Sequence, residues 1–232
     1  MTFYDFIPDN WKCYIDKKLI IDIENRLNDK HIIKPSKENI FKCFKYFNPE
    51  HTNVVILGYR PFSLIQDGLA FSCPNEYKNK PIENKLFINE IFSNYNRLDK
   101  ISDKMHKSSL ECLAKQGVLL LNVNLTIGSN INDHSDIGWE YLTNDIIKKI
   151  SINNDNIVFI LIGSKMHDKC NIIHNIDNHF IIKTSYPSYQ TLYSENSKYN
   201  VIPFINSKCF IKANEYLKIH KNIEIDWISC LI

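Results

Sequence analysis

The chain has 232 residues, of which 44% are hydrophobic and 23% are charged, and its formal net charge is +2. This composition is ordinary for a globular protein and excludes a low-complexity or strongly charged disordered chain. Because the charges nearly balance, nucleic-acid binding would require a local basic patch, and the overall charge neither favours nor excludes it.

Two sequence features bear on the compartment. No apolar run approaches the ~20 residues that a membrane helix needs, and the first residues lack the basic and then apolar pattern of a signal peptide. The seven cysteines are dispersed, odd in number and free of any C-x-x-C pair, which argues against a disulfide framework, a zinc site or an iron–sulfur cluster. We therefore expect reduced cysteines in an intracellular protein, nuclear or cytoplasmic, that is not secreted, contacts no membrane and holds no metal or cofactor.

The predicted elements alternate between helices and strands. Short apolar runs predict four strands, at residues 54–57, 118–121, 157–162 and 180–182. Helical spacing predicts helices before, between and after them, at residues 36–44, 81–95, 108–117, 139–150, 165–173 and 204–219. This alternation is typical of β-α-β units with right-handed crossovers. It predicts an α/β fold with a parallel sheet covered on both faces, and no linker or repeat divides residues 1–232 into more than one domain.

Specific residues mark the ends of two of these helices. Ser36 is predicted to cap the helix at 36–44. Ser108 and Glu111 have the spacing of a capping box, and Gly117 lies where a left-handed residue would close that helix.

Three loops leave the carboxyl ends of predicted strands, at residues 59–67, 122–135 and 184–192. In open α/β sheets, ligands bind in the crevice beyond these strand ends. We therefore expect the three loops to converge on one functional site.

Five segments match the motifs of one known family, in the family's order. Residues 58–72 read GYRPFS-LIQ-DGLAFS, where the family has G-Q-D-P-Y-H, a short loop and G-L-A-F-S. The other four segments are GVLLLNVNLTI at 117–127, HSDIGW at 134–139, LIGS at 161–164 and YPSYQT at 186–191. With them the chain resembles the family 1 uracil-DNA glycosylases from near Trp11 to Trp227. The resemblance implies a three-layer α/β/α fold with a central four-stranded parallel sheet.

The resemblance also implies a catalytic pocket that has lost its two reactive groups. In this family an aspartate of the first motif stabilises the sugar cation, and a neutral histidine of the last motif binds the departing uracil anion, an electrostatic form of catalysis. Here Arg60 stands at the aspartate position and Tyr186 at the histidine position. Arginine stays protonated and would place positive charge beside a developing cation.

The base pocket is better retained. Phe71 matches the phenylalanine that stacks on uracil, and Asn122 matches the asparagine that reads the pyrimidine edge; an ordinary core aromatic and a turn-capping asparagine are the alternatives. Phe62 replaces the tyrosine that blocks the thymine methyl group and keeps its bulk. Tyr59 completes the predicted base pocket.

The resemblance assigns DNA contacts to seven further residues. Gln190 occupies the position of the leucine that enters the gap left by the flipped base, and Leu192 lies two residues later. The full set is Pro61, Ser164, Pro187, Ser188, Tyr189, Gln190 and Leu192.

These observations favour a uracil-DNA-glycosylase-fold protein with lost or strongly reduced uracil excision. It would bind single-stranded or duplex DNA, or a replication or repair protein. One alternative is an active glycosylase with a rearranged site, in which Asp67, as a substitute acid, or a bound water replaces the aspartate and Tyr186 replaces the histidine. Another is an interaction protein with no role in nucleic-acid binding.

Overall fold

A central sheet of four parallel strands organises the fold. The computed structural model describes residues 2–28, 33–62, 64–97, 99, 106–128, 134–188 and 202–232. The strands are β1 (Val54–Gly58), β2 (Val118–Asn122), β3 (Val158–Ile162) and β4 (Phe180–Thr184). Their order across the sheet is β2-β1-β3-β4, and every neighbouring pair is parallel. Every residue of β1, β2 and β3 is buried, which explains why these strands are nearly continuous apolar runs.

Helices cover the sheet in a three-layer α/β/α arrangement, as predicted. The described α-helices are α1 (Lys17–Asn28), α2 (Ile82–Asn94), α3 (Glu111–Ala114), α4 (Trp139–Asn153), α5 (Ser164–His167) and α6 (Cys209–Lys221). The predicted helices at 81–95 and 139–150 are confirmed. In the described part of the chain, every helix is too short or too polar to cross a membrane.

The three tryptophans are fully buried, and each satisfies its indole N–H inside the protein. Trp11 donates to the carbonyl oxygen of Phe47 at 2.8 Å. Trp139 donates to the Thr126 hydroxyl at 2.7 Å, and Trp227 donates to the Asn214 side chain at 3.2 Å. These bonds fix large core side chains at both ends of the chain.

The predicted helix at 36–44 is wrong. The segment forms two short 3-10 turns, Lys37–Asn39 and Lys42–Phe44, and the Ser36 side chain makes no capping hydrogen bond. Its apolar residues Ile40, Phe41 and Phe44 are nevertheless buried. Burial of these side chains orders the segment without a continuous helical hydrogen-bond ladder.

The capping box predicted at Ser108 is also wrong. The Ser108 hydroxyl contacts the carbonyl oxygen of Pro74 at 3.3 Å, and α3 begins only at Glu111 with no side-chain cap. The partner of Ser108 lies far away in the sequence, so the local pattern could not predict this contact. Gly117 is confirmed as left-handed, with φ +83°, and a Cβ there would lie 2.3 Å from the carbonyl oxygen of His51.

Two helix boundaries differ from the prediction. The helix predicted at 165–173 is α5 followed by a 3-10 turn, Asp168–Ile172. The helix predicted from 204 begins at Cys209, because Asn206 and Lys208 adopt positive φ values of +65° and +55° and interrupt helical geometry.

One pair of cysteines departs from the expectation of reduced thiols. Cys112 and Cys230 form a disulfide between residues 118 positions apart. Their Cα atoms are 5.8 Å apart, within the usual range for a bridge. The other five cysteines are free.

A buried carboxylate holds the turn that precedes α6. Glu90 of α2 is fully buried and accepts the backbone N–H of Asn206 at 2.9 Å and of Lys208 at 3.4 Å. It also accepts hydrogen bonds from the side chains of Asn94 and Ser207. Burial raises the pKa of Glu90, and these donors oppose the shift. Glu90 therefore connects α2 to the start of α6.

We expect Glu90→Ala to lower the free energy of unfolding by about 2–4 kcal/mol, because it leaves buried N–H groups without an acceptor and opens a cavity. Denaturant unfolding measures the change. Glu215→Ala on the exposed side of α6 is the control and should change stability by less than about 0.5 kcal/mol. Equal effects of the two substitutions would contradict this role for Glu90.

Candidate functional site

A cavity of about 330 Å³ lies at the carboxyl end of the sheet. Loops after β1, β3 and β4 and the first turn of α2 enclose it. Its lining residues are Tyr59, Arg60, Phe62, Glu83, Ile162, Gly163, Ser164, Lys165 and Tyr186. The loops predicted at 59–67 and 184–192 thus do converge. The loop after β2 contributes no lining residue among those described, but the backbone N–H of Asn124 donates to the carbonyl oxygen of Tyr59, which lines the cavity, at 2.9 Å.

The two substituted catalytic positions face the same cavity. Arg60 and Tyr186 both line it. Burial raises the pKa of the Tyr186 phenol, the Glu83 carboxylate raises it further, and Arg60 acts in the opposite direction. Tyr186 is therefore a neutral hydrogen-bond donor throughout the working pH range, and Arg60 is close enough to act on it electrostatically.

Other charged groups share this space. The Lys165 ammonium lies 3.7 Å from the centroid of the Tyr59 ring, a favourable cation–π arrangement. Glu83, in the first turn of α2, is half-buried, and burial raises the pKa of its carboxyl group. Sequence analysis did not assign Glu83 or Lys165 to the site, because neither stands at a position that the motifs mark as functional.

Phe71, the predicted stacking residue, is buried against two neighbouring aromatic rings. Phe71 is 2% exposed and stacks on Phe87, with ring centroids 5.1 Å apart and planes 7° apart. The Tyr186 ring lies 6.3 Å away on a tilt of 48°. A base inserted between two rings needs about 7 Å, twice the contact distance of stacked carbon atoms. The 6.3 Å between the Phe71 and Tyr186 ring centroids therefore leaves no room for a base stacked between these two rings.

The base-reading asparagine is also engaged. Asn122 is 5% exposed, and its Nδ2 donates to Oε1 of Gln66 at 3.2 Å. The Nε2 of Gln66 donates in turn to the carbonyl oxygen of Leu69 at 2.9 Å. Neither Phe71 nor Asn122 lines the cavity. Of the four residues predicted to form the base pocket, Tyr59 and Phe62 therefore line the cavity, whereas Phe71 and Asn122 are buried outside its lining. Gln66 was missed because no motif marks it and its partner is 56 residues away.

Asp67 lies outside the cavity lining. Its carboxylate is 3.1 Å from the Lys42 ammonium and accepts the Ser72 hydroxyl at 3.1 Å. Lys42 also pairs with Glu111 at 2.6 Å. Burial lowers the pKa of Lys42, but the carboxylates of Asp67 and Glu111 raise it by more. Lys42 in turn lowers the pKa of Glu111. This placement favours a structural role for Asp67, in which it holds its own loop through Lys42 and Ser72. It does not bring the Asp67 carboxylate to the cavity.

The predicted DNA-contact residues are divided. Ser164 is exposed at the start of α5 and lines the cavity, whereas Pro61 and Pro187 are buried beside it. The backbone N–H of Ser188 donates to the carbonyl oxygen of Tyr186 at 2.9 Å, which tightens the turn after β4. Tyr189, Gln190 and Leu192 lie outside the described residues, and their assignment stays a prediction.

Comparison with known proteins identifies the family. The family model described as the uracil DNA glycosylase superfamily matches residues 44–218. The chain belongs to this superfamily. Uracil-DNA glycosylase from Aliarcobacter butzleri is 36% identical over 98% of this chain and the whole of that protein. The enzyme from Francisella philomiragia is 33% identical over 98% of this chain and 99% of that protein.

A solved structure agrees on the uracil-DNA-glycosylase fold. A variant of mimivirus UNG in complex with UGI superposes with a TM-score of 0.82 at 22% identity, covering 97% of this chain and 90% of that one. The fold implied by the sequence motifs is therefore confirmed. Among the described residues, no group of three or more His, Cys, Asp or Glu side chains is arranged to hold a metal ion.

We expect Asp67→Asn to lower the free energy of unfolding by about 1–3 kcal/mol, because it removes one charge from the buried contact with Lys42. Denaturant unfolding measures it. Asp9→Asn is the control, since Asp9 pairs with Lys12 while its side chain is 95% exposed, and it should cost less than about 1 kcal/mol. Unchanged stability together with loss of uracil release would instead identify Asp67 as the substitute acid.

Proposed function

We propose that this chain is a uracil-DNA-glycosylase-fold protein whose uracil excision is lost or strongly reduced and which serves as a DNA-binding module in DNA replication or repair. The observation that carries the proposal is the placement of Arg60 and Tyr186 in one cavity, with the Tyr186 ring against Phe71. The proposal therefore depends on the positive charge at position 60 and on the space available for a base beside Phe71.

The charge argument concerns the sugar. Cleavage of the glycosidic bond develops positive charge on the sugar, and an arginine at position 60 would repel that charge where a carboxylate would attract it. A misdirected interaction of only about 1.4 kcal/mol slows a reaction roughly tenfold. In a partly desolvated cavity the interaction is larger than in water.

The space argument concerns the base. Tyr186 could still donate a hydrogen bond to a base carbonyl, but its ring is too near Phe71 for a base to stack between the two rings. The active alternative needs a different acid, and Asp67 is held by Lys42 and Ser72. Both arguments favour loss of excision over a rearranged active site.

What remains suits contact with nucleic acid. Arg60 and Lys165 provide two cations, and Tyr59, Phe62 and Tyr186 provide rings at the same cavity. Cations that contact phosphates and aromatic side chains that stack on bases are the two recurrent components of single-strand binding sites. The relatives' names as uracil-DNA glycosylases also support DNA as the ligand. A partner protein is the second candidate, supported by the mimivirus neighbour's complex with UGI.

We expect the purified protein to release uracil from single-stranded and duplex oligonucleotides at least about a hundredfold more slowly than an active relative, because removal of one preorganised electrostatic group costs at least that much. The double variant Arg60→Asp with Tyr186→His should release uracil at a measurable rate, since it introduces a carboxylate at position 60 and removes the phenol ring of Tyr186. Adding Asn122→Ala is the matched control and should abolish the gain. Robust release by the unaltered protein, lost in Asn122→Ala, would overturn the proposed loss of activity.

We expect an oligonucleotide to bind with an affinity that falls as salt rises, because binding releases counterions from phosphates. Fluorescence anisotropy at several salt concentrations measures the slope. Arg60→Gln and Lys165→Gln should each weaken binding and reduce the salt slope by about 1. Lys115→Gln is the control, since this exposed lysine precedes the amino end of β2, at the opposite end of the sheet. Binding that ignores salt and both cavity substitutions would reject the DNA-binding module and favour a protein partner.

A further inference from the structure

Among the described residues that line the cavity, one carboxylate has no cation paired with it. Glu83, in the first turn of α2, lines the cavity and is half-buried. Its carboxylate accepts a hydrogen bond from its own backbone N–H, and burial raises the pKa of the carboxyl group by more than this bond lowers it. By contrast, the buried Glu90 accepts four hydrogen bonds from other residues. A ligand with N–H donors would supply partners of this kind to Glu83.

Two cations line the same cavity. Arg60 follows β1 and Lys165 belongs to α5, and neither is paired with Glu83. Glu83 and Arg60 both act electrostatically on the Tyr186 phenol, in opposite directions. The Lys165 ammonium lies over the Tyr59 ring. The cavity thus presents a hydrogen-bond acceptor and hydrogen-bond donors at separate points, with aromatic rings between them.

This arrangement of charge restricts the chemistry of a ligand. A phosphate group beside Glu83 would meet a like charge, and a cationic ligand would meet Arg60 and Lys165. A neutral ring with N–H donors on one edge and acceptors on another provides a partner for each of the three groups. Its faces can also stack on aromatic side chains. A nucleobase has these properties, and the cavity volume of about 330 Å³ is at the small end of the range of ~300–1,000 Å³ for ligand sites.

The four DNA bases differ in the number of donors that one edge presents. Thymine has a single ring N–H between two carbonyl oxygens, and adenine and cytosine each have an amino group beside an unprotonated ring nitrogen. Guanine has a ring N–H next to an amino group, so its two donors can meet the two oxygens of one carboxylate. Its O6 and N7 acceptors are the usual partners of arginine and lysine. Guanine is therefore the base that best matches the charged groups of the cavity.

We propose that the cavity binds an unpaired guanine base, with Glu83 accepting its two N–H donors and Arg60 or Lys165 donating to O6 and N7. The proposal rests on the proposed function and deepens it, because it names the base that this DNA-binding site prefers. The base occupies the open cavity and not the gap between the Phe71 and Tyr186 rings, which is too narrow for it. Glu83 then determines specificity, since its carboxylate attracts the donor edge of guanine and repels phosphate.

A single base change in a short oligothymidine tests this assignment by fluorescence anisotropy. One central guanine should tighten binding at least about fivefold, the lower end of what a good base contact contributes. Deoxyinosine, which lacks only the amino group of guanine, should lose most of this gain. Glu83→Gln should abolish the guanine preference without weakening binding of the all-thymine oligonucleotide, because it removes a charge that repels phosphates. Glu50→Gln, at an exposed position before the amino end of β1, is the control and should keep the preference.

Free nucleosides separate this inference from DNA binding. If no oligonucleotide binds, the DNA-binding module is rejected, and ligand-observed NMR should still show tighter binding of guanosine than of inosine, with the difference lost in Glu83→Gln. Thermal unfolding reports whether the variant is native, and Glu83→Ala replaces it if Glu83→Gln does not fold. Equal affinity for guanine and inosine oligonucleotides would overturn the guanine assignment alone, as would equal affinity for the two nucleosides where no oligonucleotide binds. A guanine preference that survives in the folded Glu83 variants would also overturn it.

Discussion

At the end of the central strand β1, the space that a side chain at residue 58 would fill is already occupied by the Asn122 amide and the Phe71 ring. Glycine is therefore required there by close approach, and not by a left-handed backbone. The backbone continues this contact, because Gly58 and Tyr59 accept hydrogen bonds from the N–H groups of Val123 and Asn124, each at 2.9 Å. The loops after β1 and β2 are thus hydrogen-bonded to each other where they leave the sheet, and this contact helps to position Tyr59 at the cavity.

The fold and the chemistry of the site depend on different residues. Three fully buried strands and three internally satisfied tryptophans stabilise the fold. Ile162, the last residue of β3, is the one member of these groups among the described residues that line the cavity. Substitutions at positions 60 and 186 would therefore leave the sheet and the buried tryptophans unchanged. Membership of the glycosylase superfamily is compatible with the proposed loss of uracil excision, because fold does not determine activity.

The sequence predicted best what depends on local pattern. Four apolar runs became four strands, because a strand buried on both faces needs little beyond continuous apolar residues. The prediction failed where a side chain contacts residues that are distant in the sequence. Ser108 contacts Pro74 and does not cap α3. Glu90 holds the turn that precedes α6, and this helix begins later than predicted. Motif matching assigned Arg60 and Tyr186 to one site, and both residues line the same cavity. It could not show that Gln66 would contact Asn122, since that contact depends on the folded path of both loops.

The contact between Asp67 and Lys42 holds the loop after β1 at a point outside the cavity lining. The loop is fixed at its far end by a buried ion pair and at its near end by the backbone contacts of Gly58 and Tyr59. Between these two anchors, Pro61 is buried and Gln66 hydrogen-bonds Asn122 and the carbonyl oxygen of Leu69, whereas Arg60 lines the cavity. A substitution at Arg60 would therefore change the charge of the cavity and leave both anchors of the loop in place.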